Sequence, residues 1–415
     1  MRKVYIALIV FSVGLFFSCQ NNDSSEDSQS SAQTAKPVKL TKSQLKIVNT
    51  NNAFAFNLFG VLSEICPGDN LLYSPLGIQS VLSMMLNGAN GDTYSQIVAA
   101  LGYEDYTLED INGLYSLMLD DLLKMDNNVH FSVANGVWLN NITIKEQLRS
   151  TLQTYYGPII KKTDFSLPET VNSINDWCSK NTNGMIDSIV EELNTNSLAL
   201  FLNALCFEGE WCQKFDSSRT VDGKFYLAGG QSVDKPFMHM NAFLSASEVD
   251  GDIICTLSFG RSRYQFYIVL PSGQNSFQQF ISSFNESKYR ALLDSRQLYD
   301  VQLSLPKISI DCEMSDALSR ALKSLGVVAA FNINTADFSN LFTSRVSIGT
   351  IKQKAFFEID ENGARFSTLT SGELSVGEDS LFEPEKIEID VNRPFIFMIS
   401  ESNSDAVLLM GSYVK

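Results

Sequence analysis

Only two histidines, His130 and His239, occur in the 415-residue chain. Both stand in apolar-flanked, strand-like runs (NVHFSV and PFMHM), where an imidazole more often packs than reacts. No GxSxG elbow, Walker A loop or dinucleotide fingerprint is present, so hydrolase, nucleotide and redox chemistry find no support. No CxxC pair or other ligand spacing suggests zinc, and no residue pattern calls for a cofactor. Positive charge is scarce as well: 31 Lys plus Arg against 47 Asp plus Glu give a net charge of −16. A phosphate-binding face needs clustered cations, which argues against nucleic acid as a partner. The pattern is that of a protein that is not an enzyme.

The chain does have enough apolar mass to fold without staples. Its hydrophobic fraction is 44%, with 28 Phe. The N-terminus, MRKVYIALIVFSVGLFFSC, joins a basic start (Arg2, Lys3) to an apolar run too short to span a bilayer, so residues 1–18 read as a signal peptide. Ser18 followed by Cys19 resembles a bacterial lipobox, although Phe16 stands where Leu is usual. On that reading Cys19 is lipidated, and the alternative is an ordinary secretory signal. Residues 19–40, in which Cys19 is followed by QNNDSSEDSQ, lack apolar periodicity and should form a flexible tether. The expected location is the outer membrane or cell surface, with simple secretion as the alternative. Cys66, Cys178, Cys206, Cys212, Cys255 and Cys312 remain. An exported protein could pair them, but buried free thiols fit their apolar settings better.

From residue 41 to 415 no linker, repeat or low-complexity break interrupts the pattern, so a single domain is expected. Helical periodicity marks 45–65, 74–89 and 317–327. Ser74 before Pro75 supplies a cap and a first-turn proline. GANG at 88–91 suits the turn that ends that helix. Strand-like runs lie at 130–139, 197–211, 263–271 and 301–310. The C-terminal stretch from Phe395 reads as a hairpin around Ser-Asn-Ser-Asp. Helices early and strands late indicate an α+β fold.

Together these segments resemble the serpins. NLLYSPLGIQSVLSMMLNGANGDTYSQI (70–97) is similar to the family's Ser-Pro helix and the Gly-Ala-x-Gly turn after it. INDWCSKNTNGMI (174–186), LFLNALCFEGEW (200–211), VQLSLPKISI, LKSLGV and ADFSNL follow in family order. IKQKAFFEIDENGARFST (351–368) looks like the strand leading into a reactive-centre loop, and NRPFIFMI (392–399) like the strand after it. The resemblance implies helices on a large, mainly antiparallel central sheet, smaller sheets and an exposed bait loop at about 361–385. It implies a monomeric suicide-substrate inhibitor of exogenous serine proteases, with the lipid as its only membrane contact. It also implies a hinge at Glu361, Gly363, Ala364 and Phe366, and gating residues beneath the sheet at Ser74, Asn203, Trp211 and Gln353. The family usually sets a His where Gln353 stands.

The loop sequence supports insertion as a strand, in which alternate side chains are buried. Starting from Ala364, the inward set is Ala364, Phe366, Thr368, Thr370, Gly372 and Leu374. Arg365 and Glu373 then both face outward; a one-residue slip would bury them at a cost on the order of several kcal/mol each. Phe366 departs from the short side chains that inhibitory members carry near the hinge, and overpacking there costs about 1–3 kcal/mol. A non-inhibitory surface or structural serpin is therefore the competing expectation. Counted from Glu361 with the family's spacing, the scissile bond falls at Gly377–Glu378, within a window from Val376 to Asp379, with Leu381–Phe382 as a second candidate. No Lys or Arg lies in 366–385. Elastase-like or subtilisin-like proteases are therefore the expected targets, and trypsin-like ones are not.

Overall fold

The computed structural model describes residues 39–122, 125–273, 276–343, 345–349, 351–364 and 384–415, which fall in one compact unit. The signal peptide, Cys19, and Phe366 with the expected scissile bond and its window (Val376, Gly377, Glu378, Asp379) lie outside the described residues.

In chain order the helices are α1 Lys42–Ile65, α2 Pro75–Leu86, α3 Gly91–Leu101, α4 Leu108–Leu122, α5 Glu146–Tyr156, α6 Pro168–Asn181, α7 Phe277–Ser283, α8 Glu286–Asp294 and α9 Ser315–Ser324. The strands are β1 Leu71–Tyr73, β2 Val129–Asn140, β3 Ile159–Thr163, β4 Ala199–Glu210, β5 Val221–Tyr226, β6 Ser232–Val249, β7 Asp252–Phe259, β8 Tyr264–Leu270, β9 Gln297–Pro306, β10 Ile308–Glu313, β11 Lys354–Ile359, β12 Gly363–Ala364, β13 Lys386–Asp390, β14 Phe395–Glu401 and β15 Val407–Tyr413.

Local sequence explains the helix starts. Thr41 accepts from the Gln44 backbone N–H while the Gln44 side chain accepts from Thr41 N–H, a capping box that opens α1. Ser74 accepts from Gly77 N–H and Pro75 sits in the first turn, opening α2. Every residue of α2 is buried, as a helix apolar on all sides requires.

The strands form two sheets. One has the order β1-β15-β14-β8-β7-β6-β9-β13, with β5 added on β6. It is continuous because the 18-residue β6 pairs with β5 early, with β9 through its middle and with β7 at its end. The other is six-stranded, β10-β11-β12-β4-β2-β3, and antiparallel except for β2 against β3. Its two faces differ. Phe201, Phe207 and Phe357 turn into the main core, while Leu200, Leu202 and Ala204 pack with Trp138 beneath Ile174 and Cys178 of α6.

The run 301–310, read as one strand, divides at Pro306–Lys307. Pro306 ends β9 opposite Phe237 in the first sheet, and Ile308 begins β10 opposite Ile359 in the second. Proline has no N–H to continue the ladder, which lets the chain change sheets there.

Candidate functional site

The six-stranded sheet is incomplete in its middle. β4 and β11 run in the same direction and meet at one bridge, Leu202 with Lys352. Above that bridge no ladder joins them among the described residues until β12 enters between their far ends. There Gly363 pairs with Glu210, Ala364 with Gly209, and Ala364 also with Ile359 of β11. A cleft lined by Leu205 and Phe207 on one wall and Ala355 and Phe357 on the other lies between these points, with Ser74 and Gln353 at its base. Two residues of added strand thus occupy the mouth of a strand-shaped gap.

Glycine is needed at the mouth. Gly363 has φ +151°, and a Cβ there would lie 2.1 Å from the Gly209 carbonyl oxygen and 2.7 Å from Glu210 Cα. Ala364 follows with its methyl buried. The turn before it is tied down by Trp211, whose backbone N–H donates to Asn362 O (2.8 Å) and whose indole N–H donates to Asp360 O (2.8 Å). Phe215 N–H donates to Glu361 O at 3.0 Å. Trp211 itself stacks on Phe259, centroids 4.3 Å apart and planes 13° from parallel. The Glu361 carboxylate takes hydrogen bonds from Lys307 Nζ (2.8 Å) and Thr220 Oγ1 (2.7 Å). Burial works to raise this carboxyl, but the Lys307 and Thr220 bonds outweigh it and hold it below the usual range.

At the base, Gln353 clamps the start of α2: its Oε1 accepts from Ser74 N–H (3.0 Å) and its Nε2 donates to Ser74 O (3.2 Å). Ser74 Oγ donates to Leu408 O of β15 at 2.8 Å. Asn203 Nδ2 donates to Asn135 Oδ1 at 2.9 Å, and Asn135 Nδ2 donates to Tyr156 O at 3.0 Å. The glutamine bonds Ser74 rather than Asn203, and Asn203 Oδ1 is buried with no hydrogen-bond partner among the described residues. An unmet buried acceptor costs about 1–3 kcal/mol, and this one borders the cleft. Gly77 makes room for the pair, since a Cβ there would stand 2.2 Å from Asn203 Oδ1 and 3.2 Å from Gln353 Nε2.

The described members of the expected hinge and gating set therefore border one cleft: Glu361, Gly363, Ala364 and Trp211 at its mouth, Ser74, Asn203 and Gln353 at its base. Sequence reading missed Thr220, Lys307, Phe215 and Asn135, which hold these residues from other elements. Their polar or aromatic character alone gave no signal, because the contacts join residues far apart in the chain.

Neither histidine is arranged for catalysis. His239 sits on β6 opposite Ser304. His130 is exposed on β2 near Cys206, but burial, with the Glu208 charge adding to it, pushes the Cys206 thiol up to about 12. That is the opposite of what an activated nucleophile needs.

The domain is thus a mixed α and β fold in which the two-residue β12 sits between the far ends of β4 and β11. A family model described as serpin (serine protease inhibitor) matches residues 49–415. A serpin-like protein of Methanosarcina mazei is 26% identical, covering 99% of this chain and 97% of its own length. Serpin-ZX of Arabidopsis thaliana is 27% identical, over 88% of this chain and 97% of its own. Among solved structures, the native thermophilic serpin tengpin matches with TM-score 0.79 at 25% identity, covering 92% of this chain and 97% of that one. Maspin matches in fold with TM-score 0.82 at 23% identity, covering 90% of this chain and all of its own. The chain belongs to the serpin family, whose members are generally protease inhibitors rather than enzymes.

Proposed function

We propose that this serpin inhibits serine proteases as a suicide substrate, by inserting its cleaved loop between β4 and β11. The observation that carries the reading is β12: Gly363 and Ala364 already pair with both walls at the mouth of a gap in which no other strand lies among the described residues. The target's serine oxygen attacks the scissile carbonyl, the peptide amine leaves, and an acyl-enzyme ester remains. Insertion then carries the ester away from the mouth before water can hydrolyse it.

The register of β12 supports the insertion reading in detail. Continued by one residue, it sets Arg365 between Glu208 and Glu358 on the outer face. Phe366 follows between Phe207 and Phe357 on the inner face, Thr368 between Leu205 and Ala355, and Thr370 between Asn203 and Gln353. Three of these four steps are chemically matched: a cation beside two carboxylates, a ring beside two rings, and a hydroxyl beside Asn203 Oδ1, which has no partner among the described residues. Phe366 thus enters an aromatic neighbourhood, where Phe357 already stacks on Phe397 with centroids 5.1 Å apart. That favours the inhibitory reading over the non-inhibitory one.

Cleavage falls at Gly377–Glu378 or within one or two residues of it, with Leu381–Phe382 as the second candidate, by elastase-like or subtilisin-like proteases. The chain works as a monomer held to the outer membrane or cell surface through a lipid on Cys19, with residues 41–415 as its single folded domain. Among the described residues no helix is long and apolar enough to cross a membrane. Incubation with an elastase, followed by a denaturing gel and mass mapping of the released peptide, tests the reading. A covalent complex cut within 376–379 supports it, and quantitative cleavage with no complex overturns it.

A further inference from the structure

On the outer face of the six-stranded sheet, His130 of β2 lies directly opposite Glu208 of β4, and Cys206 follows two residues back on the same face. One ligand atom from each lies within 4.8 Å of the others. We propose that His130, Cys206 and Glu208 bind a single borderline-soft divalent cation, of which zinc is the type. The ligand set decides the class. One thiol sulfur, one imidazole nitrogen and one carboxylate oxygen suit zinc and its analogues, whereas calcium and magnesium want oxygen alone. Three protein ligands leave the fourth tetrahedral position to water.

The surroundings suit a cation. Among the described residues β3 first pairs with β2 at Gly136, beyond His130, and the His130 imidazole is exposed. Asn183 Nδ2 lies 3.5 Å from Glu208 Oε2, and Ser132 Oγ donates to Asn181 O at 2.9 Å. These contacts set the carboxylate and bring the C-terminal end of α6, the negative end of its dipole, beside the site. Binding forms metal–sulfur, metal–nitrogen and metal–oxygen bonds, and the thiol proton leaves to solvent. The cation would tie β2 to β4 one residue from Gly209, which pairs with Ala364, so it would stiffen the rim of the cleft.

The test is a cobalt(II) titration of the reduced full-length protein. The expected result is one equivalent bound, with thiolate-to-cobalt absorption and tetrahedral ligand-field bands that zinc abolishes. Cys206→Ser should lose the thiolate band, and His130→Ala and Glu208→Gln should each weaken binding at least roughly tenfold. At one zinc concentration near the wild-type Kd, the rise in thermal midpoint should be larger for the wild type than for any of the variants. His130 is exposed, so His130→Ala decides the matter if Cys206→Ser fails to fold. No thiolate band in the wild type, a band that survives Cys206→Ser, or full affinity in both His130→Ala and Glu208→Gln would each overturn the site.

Discussion

Replacing Gly363 by alanine tests whether the hinge must enter the sheet. The new Cβ would stand 2.1 Å from Gly209 O, 2.7 Å from Glu210 Cα and 2.9 Å from Trp211 N. A comfortable carbon–oxygen contact is about 3.3 Å, so the strand must back away by roughly 1 Å. All three obstructing atoms are backbone and cannot rotate aside. A φ of +151° adds strain of about 1–3 kcal/mol for a residue with a side chain. Retreat also gives up pairing with β4, at about 0.5–1.5 kcal/mol per hydrogen bond. Together these come to about 2–5 kcal/mol, and if the insertion barrier feels all of it, insertion slows roughly thirtyfold to several thousandfold. Hydrolysis of the acyl bond is unchanged, so the variant should be consumed as a substrate. The assay is the fraction of cleaved protein trapped as covalent complex with an elastase. Wild-type partitioning in Gly363→Ala would refute the reasoning, because an inserted strand would then have tolerated the clash.

Gln353→Ala removes both hydrogen bonds to the Ser74 backbone and should lower stability by about 2–4 kcal/mol, read by urea unfolding; a loss under 0.5 kcal/mol would mean that water replaces the clamp. Glu361 gives a pH signature. Its folded-state carboxyl titrates below the ordinary value of 4.5, so its stabilisation is present above that value and is lost as pH falls through the lower folded one. Once the intrinsic slowing of exchange in acid is divided out, protection of the Trp211 and Phe215 amides should therefore fall with acidification below about pH 4.5, and Glu361→Gln should flatten that dependence.

Local patterns made Ser74-Pro75 legible as a helix start and placed Asn203 and Trp211 along one strand-like run, while the gating role expected of them came from the family resemblance alone. The family register set the inward phase of the loop at Ala364, and Ala364 is buried and pairs with Gly209 and Ile359. Side-chain partners were not legible. Gln353 and Asn203 line the same cleft, but Gln353 bonds Ser74, because the choice among nearby amides depends on atomic positions rather than on residue type. The division at Pro306 was hidden because the alternation VQLSLPKISI continues smoothly through it. The His130, Cys206 and Glu208 cluster was invisible for another reason. Ligands on neighbouring strands share no sequence spacing, and only the register of β2 on β4 brings them together.

The most direct measurement of strand acceptance is the thermal midpoint before and after cleavage of the loop. The account predicts that elastase-cleaved protein, with its loop peptide inserted between β4 and β11, unfolds at a far higher temperature than the intact chain. An unchanged or lower midpoint after complete cleavage within 376–379 would contradict it.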